Sequence, residues 1–351
     1  MREPKLAPGP DIVKLVAEID EFKGRWEALR ALAPDRLSAL RRVATIESVG
    51  SSTRIEGAKL SDAEVEDLLS RALHIKSFET RDEQEVAGYA EAMDLVFEAY
   101  ADMRLTENHI RQLHQTLLRH SDKDERHRGS YKTLSNNVVA FDADGQEIGV
   151  VFATTSPFDT PREMEALVGW ARKTLDEEAL HPLLVIAVFI VTFLAIHPFQ
   201  DGNGRLSRVL TTLLLLRAGY AYVPYASLER VIEENKELYY KALRRTQTTL
   251  ESDAPDWEPW VGFFLRSLKR QKDSLAARLD RERVAQGSED DLPELSLQVL
   301  SALRAQERLT IAQLAAITGA NRNTLKVRLR ELVGDGRVRQ HGKARATWYS
   351  L

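Results

Sequence analysis

The sequence predicts an all-α body broken by one β-hairpin and followed by a winged helix-turn-helix. Three observations carry that reading. Apolar residues recur at three- and four-residue spacing through most of positions 37–283. One stretch, NNVVAFDADGQEIGVVFATTSP (136–157), is instead β-rich on both sides of Asp144-Gly145, a strong short-range hairpin signal. Residues 296–351 then carry 10 Lys/Arg against 3 Asp/Glu, in a chain whose formal net charge is −4.

Taken in order, the spacing predicts helices over Leu37–Val49, Asp62–Ala72, Glu83–Tyr100 and Thr106–His120. Ser61 with Glu64 reads as a capping box, and Thr106 beside Glu107 as a second helix start. The hairpin spans Asn137 to Phe152. Thr160-Pro161 opens the next helix with proline at its first position, and Pro182 opens another that ends near Ile196. A helix follows the Gly202-Asn203-Gly204 turn and stops at Gly219; further helices are expected over Leu228–Gln247 and Glu258–Arg283. The polar stretch VAQGSEDDLPE reads as a linker. Domain limits follow: 1–100 helical, 101–283 core, 284–294 linker, 295–351 winged helix.

Composition narrows the chemistry. With no cysteine among 351 residues, disulfides and thiolate metal sites are excluded, which suits the cytoplasm. The start, MREPKLAPGPDIVK, has no apolar signal core. The longest apolar run, Leu183–Ile196, has 14 residues where a membrane span needs about 20, so a buried helix and no membrane partner are expected.

HPFQDGNGRLSR (197–208) follows that run and holds more chemistry than a turn needs. A helix that starts after a glycine-rich turn offers unpaired N–H groups and the positive end of its dipole, an anion site. Gly202 and Gly204 let the backbone approach closely, and Asn203 tolerates unusual φ or adds a donor. Arg205 and Arg208 share a face near the helix start, where two cations oppose the dipole unless an anion compensates. Phosphates fit best. Asp201 would repel phosphate directly but suits a Mg²⁺ that bridges phosphate oxygens, and His197 suits a general base. A lone Gly-Asn-Gly would be an ordinary polar turn; the whole set points to a polyanion.

The segment resembles the Fic motif, HxFx(D/E)GNGRxxR, at every specified position, and the helical body with a hairpin before the motif is similar to Fic proteins. The resemblance implies transfer of a nucleotide monophosphate, usually AMP from ATP, to a Ser, Thr or Tyr hydroxyl of a target protein. It gives His197 the role of base, Phe199 that of fixing the loop, and Asp201 that of holding Mg²⁺. It makes Gly202, Asn203 and Gly204 a phosphate cradle, sets Arg205 at the α/β-phosphates and Arg208 at the γ-phosphate. Tyr239 and Tyr240 resemble the family's adenine-pocket tyrosines, and the hairpin its flap, which pairs with an extended target segment.

SSTRIEG (51–57) is similar to the inhibitory motif (S/T)xxxE(G/N) of the Fic class with an N-terminal inhibitory helix. Ser52 and Glu56 are four apart on one helical face, and Gly57 is a plausible C-cap. The resemblance implies that Glu56 grips Arg208 bidentately and competes with the γ-phosphate.

In the tail, Ser296–Gln306 and Thr310–Thr318 read as helices, with a turn at Gly319. Asn321 would cap a third helix bearing Arg322, Lys326, Arg328 and Arg330, and two short strands follow around His341-Gly342-Lys343. That order is the usual DNA-reading arrangement, and it also serves protein contacts, a second copy of the chain included. His109 and His114 are wrongly spaced for zinc and read as surface or packing residues. Besides an ATP-dependent adenylyltransferase, a nucleotide-sensing DNA-binding regulator, a Fic enzyme with another nucleotide donor, or AMP removal fit these residues.

Overall fold

Helix α1 (Pro10–Leu29), which the apolar spacing did not announce, seats Ile19, Phe22 and Trp26 in the core against Tyr222. The coordinates, a computed structural model, describe residues 4, 6–29, 34–72, 78–141, 147–290, 292–306, 308–342 and 347–351. They divide into two compact units, Met1–Leu275 and Ala276–Leu351.

In the first unit the chain continues through α2 (Pro34–Ile55), α3 (Asp62–Ala72), α4 (Arg81–Ala99) and α5 (Glu107–Leu117). The Ser61–Glu64 capping box forms, with Ser61 N–H on Glu64 Oε2 at 2.8 Å, and Thr106 caps α5 through His109 N–H. Strands β1 (Val138–Phe141) and β2 (Glu147–Phe152) pair antiparallel, Val139 opposite Val150 and Ala140 opposite Gly149. Their Asp144-Gly145 turn lies outside the described residues. Helices α6 (Thr160–Asp176), α7 (Pro182–Ile196) and α8 (Asn203–Arg217) follow. Helix α7 is buried on every side from Leu183 to Ile196, which is why its sequence shows no polar stripe. Trp260 reaches it, donating from Nε1 to Ala187 O at 2.7 Å. Among the described residues no helix is long and apolar enough to cross a membrane.

Two expectations need correction. The single helix expected over Leu228–Gln247 is two, α9 (Leu228–Glu234) and α10 (Lys236–Gln247), broken at Asn235, whose side chain bonds back to Val231 O instead of continuing the ladder. The expected linker is also largely helical. Helix α11 runs from Glu258 to Asp290, and the division between units falls inside it, not at 284–294. Gly287 and the polar residues there cost helix propensity but do not forbid the ladder.

In the second unit α12 (Glu294–Ala305), α13 (Ile311–Thr318) and α14 (Arg322–Gly334) enclose Leu300, Leu303, Leu314, Leu325, Leu329 and Leu332. Gly319 turns the chain at φ +68°, and Asn321 caps α14 by accepting from Asn323 N–H at 2.8 Å. Strands β4 (Arg339–His341) and β5 (Trp348–Ser350) form the wing. A third strand, β3 (Leu309–Thr310), was not expected and pairs with β5, giving the order β3-β5-β4. Lys343 lies outside the described residues.

Candidate active site

The loop 197–202 joins the C-terminal end of α7 to the N-terminal end of α8. His197 closes α7 in the left-handed region, φ +53°, and its N–H still reaches Phe193 O at 2.9 Å. Its Nδ1 lies 3.3 Å from Leu194 O, an acceptor, so Nδ1 carries the proton and Nε2 keeps a free lone pair. Burial, reinforced by the charge of Lys132, pushes the imidazole down to about 4. The ring is therefore neutral at ordinary pH and ready to accept a proton at Nε2.

Phe199, fully buried, stacks on His114 at 3.8 Å between ring centroids and packs on Tyr131. Asn203, expected in the phosphate cradle, puts its side chain elsewhere. Its Oδ1 accepts from Phe199 N–H at 2.9 Å and its Nδ2 donates to Phe199 O at 2.7 Å. A side chain committed to closing the loop leaves Asn203 only its backbone for a ligand. Gly202 sits at φ +78° as the N-cap of α8, a conformation open to glycine at no steric cost.

Asp201 Oδ1 accepts from Gly202 N–H and from Arg205 Nη2, while Oδ2 faces Arg81 and Lys123 at 3.7 and 4.0 Å. Burial would raise this carboxyl, but Arg205, the Gly202 N–H, Lys123 and Arg81 together hold it below the usual range. Arg205 is enclosed, with Nη1 3.1 Å from Glu85 Oε2 of α4.

Arg208 lies three residues on, 3% exposed. Its Nε donates to Ser52 Oγ at 2.8 Å, and its Nη2 to Ser52 O at 3.0 Å and Glu56 Oε1 at 2.7 Å. The bidentate grip expected from Glu56 is thus not what forms. One Glu56 oxygen meets the guanidinium at Nη2; Ser52, one turn earlier on α2, takes Nε and shares Nη2, and the buried Nη1 has no hydrogen-bond partner among the described residues. The Glu56 carboxylate also rests on Gly204 so closely that a Cβ there would overlap it. Burial would raise that carboxyl; the charge and hydrogen bond of Arg208, with Arg205 behind, override it and keep it ionised. An internal carboxylate therefore occupies the start of α8. Gly57 ends the α2 turn at φ +107°.

The tyrosines divide. Tyr239 is 3% exposed, packed edge-on against Trp260 and facing Arg208 and Ser207, so it is a core residue, not an open adenine wall. Tyr240 is 37% exposed and lines an open recess with Glu237, Lys241 and Arg244.

Two residues of this site were not singled out from sequence. His114 is fully buried. Its Nδ1 accepts from Gly129 N–H at 3.0 Å, which puts the proton on Nε2, and that N–H donates to Asp201 O at 3.0 Å. Burial pushes it down to about 4, so it stays neutral. Its one signal was its place among Ile110, Leu113 and Leu117 on the apolar face of α5. Glu85 had no comparable signal.

A Fic/DOC family profile matches residues 104–215, and a winged helix-turn-helix DNA-binding profile matches residues 292–339. A protein adenylyltransferase Fic of Nematostella vectensis is 24% identical over 269 residues, 75% of this chain and 56% of its own. That of Drosophila mojavensis is 28% identical over 260 residues, 72% and 46%. The chain spans about half the length of the curated relatives it matches. A crystal structure of a Fic family protein from Desulfovibrio desulfuricans G20 aligns with TM-score 0.67 and 26% identity, covering 100% of this chain and 98% of that one. A Fic domain containing signaling protein from Bacteroides thetaiotaomicron VPI-5482 shares the fold at TM-score 0.61 and 24% identity, covering 76% and 97%. The chain thus carries a Fic domain over residues 104–215, followed by a winged helix-turn-helix over residues 292–339.

Proposed function

We propose that the protein is a protein adenylyltransferase held in check by its own helix α2. The observation that carries the reading is the Glu56 carboxylate seated against Gly204 at the start of α8 and paired with Arg208. A site that accommodates an internal anion there suits a phosphate in the same place. His197 Nε2 takes the proton of a Ser, Thr or Tyr hydroxyl, the hydroxyl oxygen attacks the α-phosphorus of ATP, and pyrophosphate leaves. Gly202, Gly204 and the backbone of Asn203 cradle the phosphates, Arg205 supports the α/β region and Arg208 takes the γ-phosphate once Glu56 withdraws. Tyr240 is the residue left open for the base. Catalysis is then mostly positioning and charge stabilisation.

Asp201 fits Mg²⁺ brought in on the nucleotide. Such an ion needs only one or two protein carboxylates beside the phosphates. Asp201 is ionised, and no group of three acidic or histidine side chains among the described residues could hold a metal independently. When bound, the ion neutralises phosphate charge.

Incubating Glu56→Gly with labelled ATP, GTP, CTP and UTP tests the reading. Incorporation of AMP into protein, above wild type, is expected. Labelling by another nucleotide would reassign the donor, and binding without labelling would favour a nucleotide sensor.

A second activity is favoured by α14, which exposes Arg322, Lys326 and Arg330 along one helix of the winged unit. We propose that this unit binds duplex DNA. Affinity that falls steeply with salt is expected; no binding at low salt would turn the assignment to a protein partner.

A further inference from the structure

Four consecutive carbonyls, from the last residue of α7 into the 197–202 loop, are tied to one short segment, residues 132–136. Lys132 Nζ donates to Ile196 O at 3.0 Å and Lys132 N–H to Pro198 O at 2.8 Å. Asn136 Nδ2 donates to His197 O at 3.2 Å and Phe199 O at 2.6 Å. A loop that holds a non-glycine residue at φ +53° needs such support, since the left-handed region is costly for a side chain.

The same two side chains hold the hairpin. Lys132 Nζ also donates to Asn136 Oδ1 at 2.8 Å and Thr154 Oγ1 at 2.9 Å, and Thr154 Oγ1 donates to Asn136 Oδ1 at 3.0 Å. Thr154 N–H reaches Asn137 Oδ1 at 3.1 Å. Asn136 and Asn137 directly precede β1, and Thr154 closely follows β2, so both feet of the hairpin meet at Lys132. Lys132 is 3% exposed, and its ammonium satisfies its three protons on neutral acceptors. A buried cation with no acidic partner among the described residues is expensive, and burial pushes Lys132 down to about 8. An apolar side chain would cost less if the position only had to be filled.

We propose that Lys132 and Asn136 are positioning residues that join the base of the hairpin to the His197 loop, so that a polypeptide strand docked on the hairpin and the imidazole facing its hydroxyl keep one fixed separation. The inference rests on the transferase reading, in which the hairpin receives the target. It places part of the catalytic geometry outside HPFQDGNGRLSR. Because the hydrogen bonds of both side chains go to the 196–199 carbonyls and the hairpin feet rather than to Gly202–Arg208, it separates proton removal from nucleotide binding.

The test places Lys132→Met and Asn136→Ala separately in the Glu56→Gly background. Two readouts are taken: steady-state self-modification against ATP concentration, and hydrogen exchange of a peptide covering 196–204. Expected are a kcat at least about tenfold below the Glu56→Gly parent, a KM for ATP within about twofold of it, and faster exchange at 196–204, where Phe199 N–H is held on Asn203 Oδ1. Unchanged kcat in both variants would overturn the proposal, and so would kcat and ATP affinity lost together, which marks general unfolding. If the Glu56→Gly parent itself transfers nothing, the transferase reading fails. The exchange data then decide the anchoring alone: protection lost in both variants sustains it, and protection kept in both rejects it.

Discussion

Arg205 and Arg208 stand three residues apart on one helix and are held in opposite ways. Arg205 is closed in by the buried Glu85 from α4 and by the partly exposed Asp201 from its own loop. Arg208 is held by Ser52 on the last turn of α2 and by Glu56 in the turn that follows it, before Gly57. The Glu85 side chain is 9% exposed and that of Glu56 31%. Removing the first pair would uncover a buried charge, whereas the second can exchange for an incoming anion at the helix start. Under the proposed function, the difference separates the arginine that shapes the site from the arginine that decides when it is filled.

The largest expected effect lies upstream of both. His197→Ala removes the Nε2 proposed to take the hydroxyl proton and leaves both arginines paired. Transfer should fall by ~10²–10⁴-fold, the usual contribution of a placed base, while ATP affinity stays within about twofold. Rapid-quench transfer and equilibrium nucleotide binding check the two halves, and near-normal transfer would sink the assignment of His197.

Substitutions at the two arginine partners should then move activity in opposite directions. Glu56→Gly removes a hydrogen bond to a charged group, worth ~1.5–3 kcal/mol, so self-modification should rise by about 10- to 100-fold. Glu85→Gln leaves the shape of α4 intact but takes the charge from Arg205, which then draws more strongly on Asp201. In the Glu56→Gly background it should lower kcat by about tenfold. If Glu85→Gln raises activity as Glu56→Gly does, both carboxylates are brakes and the contrast between the arginines fails.

How much of this was legible depends on whether the chemistry is local in sequence. The 197–208 segment carried its own evidence: glycine next to a helix start, two arginines on one face and a histidine at a helix end are readable at short range. The hairpin was readable for the same reason, through Asp144-Gly145 between β-rich runs. Glu85, His114, Lys132 and Asn136 act on the site from 61 to 120 positions away in sequence, and each looks ordinary among its neighbours: an acid near a helix start, a histidine on an apolar face, a lysine and an asparagine before a strand. Only tertiary contact distinguishes them. Asn203 and Tyr239 show the converse. Their identities fitted a ligand role, but packing uses the amide of one to close the loop and buries the ring of the other. Helix α1 was missed because its polar outer face dilutes the buried positions Ile12, Ile19, Phe22 and Trp26.

The smallest expected effect concerns pH, and it tests the burial of the loop. An imidazole near its ordinary value of ~6.5 would be about one quarter neutral at pH 6 and about nine tenths neutral at pH 7.5, so a rate set by neutral histidine would rise nearly fourfold between them. His197 is pushed down to about 4 by burial and by Lys132. Its neutral fraction is then about 0.99 at pH 6 and changes by only about one per cent up to pH 7.5. Glu56 acts on His197 in the opposite sense, raising it, so Glu56→Gly moves the value further down and does not disturb the argument. Asp201 is held below the usual carboxylate range and stays ionised throughout. At saturating ATP and Mg²⁺, kcat of Glu56→Gly should therefore be flat within about 1.3-fold from pH 6 to 7.5 and decline only as pH approaches 4. A fourfold fall at pH 6 would mean that the loop opens to water in the working enzyme, with His197 hydrated and its anchoring to the hairpin base released.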